Sequence, residues 1–218
     1  MTGLVRKATL LTACGMLVAA AAMAGVPSPI NSTKPSYIDV VGTNAGTPDP
    51  WGTFTIVVRD LGSNPIANSQ VVLDFLACTD MDLCSAVVAG QTVDCPTMTV
   101  RGFTDALGSI TFTVLGAARN TGAAAGPGGG CVNVLADGVS LIHATATEID
   151  ENGDVTTNGV EVTDLSAWLK DLGTGFYLGR SDFNHNAAVD IVDLSVWLGR
   201  LGTGQSSSGC FSATYCTP

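Results

Sequence analysis

Oxygen-bearing side chains recur at alternate positions near the C-terminal end of the chain. Counted from Asp182, positions 1, 3, 5, 9 and 12 hold Asp182, Asn184, Asn186, Asp190 and Asp193, and position 7 holds Ala188. Calcium prefers carboxylate and carbonyl oxygens, and such a loop surrounds one ion with side chains from positions 1, 3, 5 and 12 and a main-chain carbonyl from position 7. We therefore predict a calcium-binding loop over residues 182–193, to which Ala188 contributes its carbonyl oxygen.

A less regular version of this loop precedes it. Its candidate ligands are Asp150, Asn152, Asp154, Glu161 and Asp164. The first three repeat the 1-3-5 opening, but Asp164 follows three residues later than a twelve-residue loop requires. One or two calcium ions are therefore expected. Val160 and Val189, the apolar residues at position 8, predict a short β-bridge between the two loops.

Each loop leads into a duplicated phrase. Residues 164–175 and 193–204 are identical at nine of twelve positions, 29 residues apart, which indicates internal duplication. The apolar residues follow helical spacing, which predicts two amphipathic helices packed face to face: Leu165, Trp168, Leu169 and Leu172 in one, Leu194, Trp197, Leu198 and Leu201 in the other. Gly173 and Gly202 are expected to end them. Helices of about ten residues are marginal alone, so this unit should need its ions to fold.

The N-terminal segment predicts export. Residues 1–24 combine Arg6 and Lys7 with an apolar run and a small-residue cleavage site, which is typical of a signal peptide. The lipobox-like residues 11–14 leave a lipoprotein as the alternative. No later segment approaches about 20 apolar residues, so no membrane span is expected. Cleavage would take the net charge from −10 to −12, which disfavours nucleic acid and anionic lipid as partners and favours cations.

Six cysteines follow the predicted signal peptide: Cys78, Cys84, Cys95, Cys131, Cys210 and Cys216. An even number in an exported chain predicts disulfides. Zinc is the competing interpretation, but no Cys-x2-Cys pair exists, and His143 and His185 lie far from the cysteines in sequence. Of the fifteen possible connectivities we expect the local one, Cys78–Cys84, Cys95–Cys131 and Cys210–Cys216.

Residues 36–147 show a β pattern. Alternation of apolar with polar residues predicts buried strand faces at Phe54, Ile56 and Val58, at Val71, Leu73 and Phe75, and at Ile110, Phe112 and Val114. Residues 136–138 predict a hairpin turn. Seven or eight strands with one apolar face each predict two packed antiparallel sheets. The expected organisation is a linker at 25–35, a β-sandwich at 36–147, a calcium-binding unit at 148–204 and a Ser-rich tail with a Cys loop at 205–218.

Two segments resemble known families. Residues 57–75 and 104–112 resemble the bacterial Ig-like repeats of invasin and intimin, which implies an Ig-like β-sandwich used as a spacer or adhesive tip. The segment departs from those repeats in three cysteines (78, 84 and 95) and in a Gly-rich insert at 121–130.

Residues 150–204 resemble type I dockerin repeats, in which a helix follows each calcium loop. That resemblance implies the ligands named above and a cohesin-like or other envelope protein as partner, in assemblies related to polysaccharides. The chain departs from the family at Ala187, where glycine is usual, and at the recognition positions Ile191-Val192 and Val162-Thr163.

No catalytic set is predicted. Only two histidines exist, one on a predicted strand and one inside the second loop, so a nucleophile–base pair has no good source. The main hypothesis is a secreted, non-catalytic surface protein that binds calcium and mediates attachment or display. The alternative is a structural or adhesive surface protein in which calcium only stabilises the C-terminal unit. Carbohydrate binding ranks third, with Trp51 as the sole aromatic candidate.

Overall fold

The structure, a computed structural model, describes residues 25–44, 46–86, 88–118, 130–151, 160–201, 210 and 215–216. The predicted signal peptide, most of the Gly-rich insert, the Ser-rich linker at 205–209, Asn152 and Asp154 lie outside these ranges. The described chain is mainly β. Its strands are β1 Tyr37–Val41, β2 Thr43–Asn44, β3 Thr47–Pro48, β4 Thr53–Val57, β5 Gln70–Asp74, β6 Met81–Cys84, β7 Gln91–Asp94, β8 Thr99–Phe103, β9 Ser109–Ala118, β10 Val132–Ala136, β11 Val139–Glu148 and β12 Tyr215–Cys216. Two helices, α1 Val162–Gly173 and α2 Ile191–Arg200, separate β11 from β12.

Ten of the described strands form one mixed sheet. The order is β12-β6-β9-β1-β11-β10-β5-β8-β7, and β4 pairs with the first half of β9. Strand β1 is parallel to both of its neighbours, β11 and β9, whereas the other pairings in this sheet are antiparallel. Strands β2 and β3 form a separate small hairpin.

The predicted Ig-like sandwich of two antiparallel sheets is therefore wrong. Strand β1 bonds to β11 on one side and to β9 on the other, which joins ten strands into a single sheet. The sheet curls, so that β7 at its end comes close to β9. Gln91 on β7 forms two hydrogen bonds there: its Nε2 donates to the Thr113 carbonyl at 2.7 Å and its Oε1 accepts from the Thr113 amide at 3.0 Å. Alternation of apolar and polar residues indicates which face of a strand is buried, but not which strands pair with each other.

The concave side of the curled sheet holds the main core. The strand residues predicted to face inward largely do so: Ile56, Val58, Val71, Leu73, Phe75, Phe112 and Val114 are fully buried. Phe54 is half-buried and stacks on Phe112 across the β4–β9 pair, with ring centroids 5.9 Å apart. The turn between β10 and β11 is also confirmed, since Asp137 and Gly138 have positive φ angles of 47° and 81°.

Three disulfides join the described cysteines, as expected of a protein that folds outside the reducing cytosol, but the predicted pairing is wrong. The bonds are Cys78–Cys131, Cys84–Cys210 and Cys95–Cys216. The tail returns to the edge of the sheet, where β12 pairs antiparallel with β6, so its cysteines meet partners more than 100 residues away in sequence. Long-range strand pairing thus decides the connectivity.

The two helices pack on each other and on the sheet. Trp168 and Trp197 are fully buried in one cluster with Ile149, Val160 and Phe183. The predicted apolar stripe is wrong in part, because Leu169, Leu172 and Leu198 are exposed. Gly173 is the last residue of α1 and has no positive φ, whereas Gly175 has one of 70°, so the left-handed position lies two residues later than expected. Gly202 lies outside the described residues.

A pair of calcium loops preceding the helices is not shown. The bridges outside the strands of the described chain join Thr33 with Val57 and Arg59 with Pro65, and the bridge expected between Val160 and Val189 is not among them. The predicted paired-loop architecture is therefore corrected to two helices packed beside a curled mixed sheet. None of the described helices is long and apolar enough to cross a membrane.

Candidate functional site

The loop over residues 182–193 is wound tightly between a short helical turn, Gly179–Ser181, and helix α2. Its first and last candidate ligands, Asp182 and Asp193, are both fully buried. Burial of two carboxylates is costly unless hydrogen bonds or an opposite charge compensate for the lost water. The compensation in this loop comes first from its own main chain.

Main-chain amides of the loop donate to its side-chain oxygens. Asp182 Oδ1 accepts from the amide of Asn186 at 3.1 Å and its Oδ2 from that of Ala187 at 2.9 Å. Asp193 Oδ1 accepts from the amide of Asn184 at 3.0 Å and its Oδ2 from that of Asp190 at 2.8 Å. The side-chain oxygens at positions 1 and 12 are thus turned toward the inside of the loop.

The two asparagine side chains follow the same arrangement. Asn184 Oδ1 accepts from the Asn186 amide at 2.9 Å, and Asn186 Oδ1 accepts from the Ala188 amide at 2.8 Å. Four of the predicted ligands therefore carry oxygens held against the loop's own main chain. The structure does bring together the residues that sequence spacing assigned to positions 1, 3, 5 and 12.

Two residues of the loop have left-handed backbone conformation. His185 has φ 62° and Ala187 has φ 64°. A side chain in this region costs about 1–2 kcal/mol relative to glycine, which explains why glycine is common at a sharp turn of this kind. Ala187 accepts this strain, so the tight winding persists although the usual glycine is absent.

The loop closes onto the first turn of α2. Asp190 Oδ1 accepts from the Val192 amide at 2.8 Å, while Asp193 bonds back to Asp190. These two carboxylates satisfy amides that a helix start leaves without partners. Asp190 therefore caps the helix. Ala188 is exposed, and its carbonyl oxygen stays the predicted ligand at position 7.

Negative charge accumulates inside the loop. Burial, and the nearby carboxylates of Asp182 and Asp190, raise the pKa of Asp193 above its ordinary value. A group of carboxylates that oppose one another's ionisation is the electrostatic setting that a bound cation relieves. The donor set suits calcium, because amide and carboxylate oxygens of this kind are ligands of a hard cation.

The entry to the loop is fixed by a buried polar network. Arg180 forms two bonds to Asp171, with Nε to Oδ2 at 2.6 Å and Nη2 to Oδ1 at 2.7 Å. Ser181 Oγ lies 2.7 Å from both Asp171 and Glu151 carboxylates. The hydroxyl hydrogen of Ser181 serves one of these two acceptors at a time. Burial and the Asp171 charge raise the pKa of Glu151 well above its usual range.

The first predicted loop is described only in part. Asp150 and Asp164 are buried, Glu161 is half-buried, and Asn152 and Asp154 lie outside the described residues. The Glu161 amide donates to Asp164 at 2.6 Å, which repeats the bond between Asp190 and Asp193 at the equivalent positions. The two copies therefore start their helices in the same way.

Sequence reasoning missed two buried carboxyl groups beside this loop. Glu148, the last residue of β11, and Glu151 are both almost completely buried. Burial and the neighbouring charge of Asp150 raise the pKa of Glu148 well above its ordinary value. No sequence signal separates them from exposed acids, because they lie in a polar stretch whose burial depends on the packing of the helices against β11.

The second histidine lies elsewhere. His143 is exposed on β11, in line with Asn133 on β10 and Asp74 on β5. These three side chains line an open cleft of about 330 Å³ next to the Cys78–Cys131 disulfide. Asp74 is the other titratable side chain in the lining of this cleft, and Asn133 lies between it and His143 across the strands.

In the described ranges, no group of three or more His, Cys, Asp or Glu side chains is arranged to hold a metal ion. Asp182, Asp190 and Asp193 of the loop therefore do not form such a group in this structure, and the predicted donor set also includes asparagine oxygens and a main-chain carbonyl. Comparisons with protein-family models, curated proteins and solved structures find no match. The resemblances to dockerin repeats and to Ig-like repeats therefore stay predictions from the sequence.

Proposed function

We propose that the loop over residues 182–193 binds one calcium ion and that the chain acts outside the cell as a non-catalytic attachment protein. The observation that carries the calcium assignment is the inward placement of the Asp182, Asn184, Asn186 and Asp193 oxygens around a wound loop with two buried carboxylates. Asp150, Asn152, Asp154, Glu161 and Asp164 remain the candidate ligands of a further ion.

The attachment proposal is supported by the outer faces of the helices. The burial pattern of residues 161–170 is repeated position by position in residues 190–199. Val162 and Ile191 are 68% and 69% exposed, and Leu169 and Leu198 are 51% and 53% exposed. Large apolar side chains exposed at equivalent positions in both copies favour a protein-contact surface over chance exposure of single residues. The expected partner is a cohesin-like or other envelope protein.

Calorimetric titration of the full mature chain with calcium tests the first part. Dissociation constants for extracellular calcium modules are about 10⁻⁴ to 10⁻³ M. Asp182→Asn and Asp193→Asn should each weaken binding by at least about tenfold, because each removes a charged ligand. Asp94→Asn is the matched control, since it removes one negative charge far from the loop, at a surface pair with Arg101. Equal affinities for all four proteins would contradict the assignment.

A second experiment addresses attachment. The wild-type chain and the double variant Leu169→Ser/Leu198→Ser are immobilised and incubated with envelope proteins in calcium or in EDTA. We expect a partner that is captured in calcium and lost both in EDTA and with the double variant. Leu107→Ser, at an exposed leucine in the turn between β8 and β9, is the control for loss of surface apolar area.

The alternative is a structural or adhesive surface protein whose calcium only stabilises the C-terminal unit. One observation favours it: the tail beyond the helices is tied to the sheet by two disulfides, as a purely structural unit would require. Adhesion that survives the Leu169→Ser/Leu198→Ser change but is lost when exposed sheet residues are altered would select this alternative.

A further inference from the structure

The calcium loop rests directly on the β-sheet. His185, at position 4 of the loop, places its Nε2 2.7 Å from Oδ1 of Asp39 on β1. Its ring stacks on Tyr37, two residues earlier on the same strand, with centroids 4.4 Å apart and planes inclined by 12°. Position 4 of such a loop ordinarily faces solvent and is not a ligand. In this chain it is the point where the loop contacts another part of the fold.

Asp39 is itself held in place. The hydroxyl of Thr147 donates to the same Oδ1 at 2.6 Å, and Thr147 lies directly opposite Asp39 in the parallel β1–β11 pair. Burial lowers the pKa of His185, but the hydrogen bond to Asp39 and the negative charges of Asp39, Asp182 and Asp193 together raise it overall. The carboxylate is therefore an anchor fixed by the sheet, and the imidazole is a donor to it.

A second contact acts on a predicted ligand itself. The Tyr177 hydroxyl donates to Asp182 Oδ2 at 2.8 Å. Oδ2 of Asp182 thus receives one bond from the Ala187 amide and one from Tyr177. These bonds fix the rotation of the carboxylate at position 1.

We infer that Asp39, acting through His185, and Tyr177, acting on Asp182, are positioning residues of the calcium loop, so that calcium affinity depends on residues outside the loop, Asp39 on strand β1 among them. This inference rests on the proposed calcium function. Groups that orient metal ligands without touching the metal commonly change metal affinity by about 10–100-fold when they are removed. The loop would therefore bind calcium in the conformation that its contacts with strand β1 hold.

The test measures calcium affinity by calorimetry for full-length variants. Asp39→Asn and Tyr177→Phe should each weaken binding by about tenfold. Asp94→Asn, which makes the same charge change at a distance, should bind as the wild type does. Melting temperatures in EDTA verify that each variant is folded.

A double-mutant cycle separates positioning from a general structural effect. His185→Gln should weaken binding about as much as Asp39→Asn, and the two changes together should cost no more than either alone, because Asp39 acts through His185. Fully additive effects, or wild-type affinity in both Asp39→Asn and Tyr177→Phe, would overturn the inference while leaving the calcium assignment intact. If wild type gives no heat, the proposed function fails and this inference with it. Should Asp39→Asn not fold, Tyr177→Phe alone decides: tenfold weaker binding supports the inference and unchanged binding overturns it.

Discussion

Removing one of the two long-range disulfides should cost far less than its sequence separation indicates. Cys84–Cys210 and Cys95–Cys216 close segments of 126 and 121 residues. Taken alone, cross-linking a segment of that length stabilises a protein by about 5 kcal/mol, because the unfolded chain loses conformational entropy. The two bonds, however, connect the same two regions of the chain.

With one of these disulfides in place, the other closes only a small ring. Cys84 and Cys95 are about 11 residues apart, and Cys210 and Cys216 about 6, so the ring contains about 17 residues. A ring of this size corresponds to about 3 kcal/mol. We therefore expect Cys84→Ala/Cys210→Ala and Cys95→Ala/Cys216→Ala each to lower the free energy of unfolding by about 3 kcal/mol. Removing the second bond as well should cost about 5 kcal/mol more.

Urea unfolding at fixed calcium, without reductant, measures these differences through the fluorescence of the buried Trp168 and Trp197. The Cys78–Cys131 bond stays in all variants as the common background. A loss of about 5 kcal/mol for either single pair, with no further loss for the quadruple variant, would refute the reasoning. Such a result would mean that the two bonds do not share one closed ring.

Three further changes have defined outcomes. Ala187→Gly should raise the free energy of unfolding by about 0.5–1 kcal/mol, because the relieved left-handed strain exceeds the entropy that glycine adds to the unfolded chain. Ala188→Gly, at a residue whose φ is negative, should lower the free energy of unfolding. Burial raises the pKa of the Asp80 carboxyl above its ordinary value of 3.8, so the folded state binds the carboxyl proton more tightly than the unfolded state does. The free energy of unfolding should therefore fall as the pH rises from about 3.8 through the raised pKa. Urea unfolding measured across this pH range should show no such fall for Asp80→Asn. Gln91→Leu should lower the free energy of unfolding, measured by thermal unfolding, by about 2–4 kcal/mol, because the buried amide and carbonyl of Thr113 lose their hydrogen-bond partners. The control Gln70→Leu, at an exposed glutamine, should be nearly neutral.

Local features of the fold could be predicted, and long-range ones could not. Period-two alternation correctly assigned the buried face at Ile56 and Phe112, and the Asp137-Gly138 turn requires only two residues in sequence. The parallel contact between β1 and β11 joins residues 108 apart, as Asp39 and Thr147 show. No pattern within either strand specifies that partner, so the sequence alone predicts an antiparallel sandwich.

The candidate site divides in the same way. Spacing alone predicts the ligand set of loop 182–193, because each position of a calcium loop is defined relative to the next one along the chain. The contacts of His185 and Tyr177 depend on where the loop docks, which spacing does not encode. Helical periodicity also placed Leu169 and Leu198 in the interior, whereas the seam between two short helices is filled by the tryptophans and leaves those leucines outside.

The closed connection of the helices to the sheet has a mechanical consequence. The helical segment follows β11 in the chain, and beyond its other end Cys210 is bonded to Cys84 on β6. A pulling force applied by a partner on the exposed helix face would divide between these two covalent links. Tension would therefore reach the sheet along two routes, and neither helix would have to peel away from one end under load.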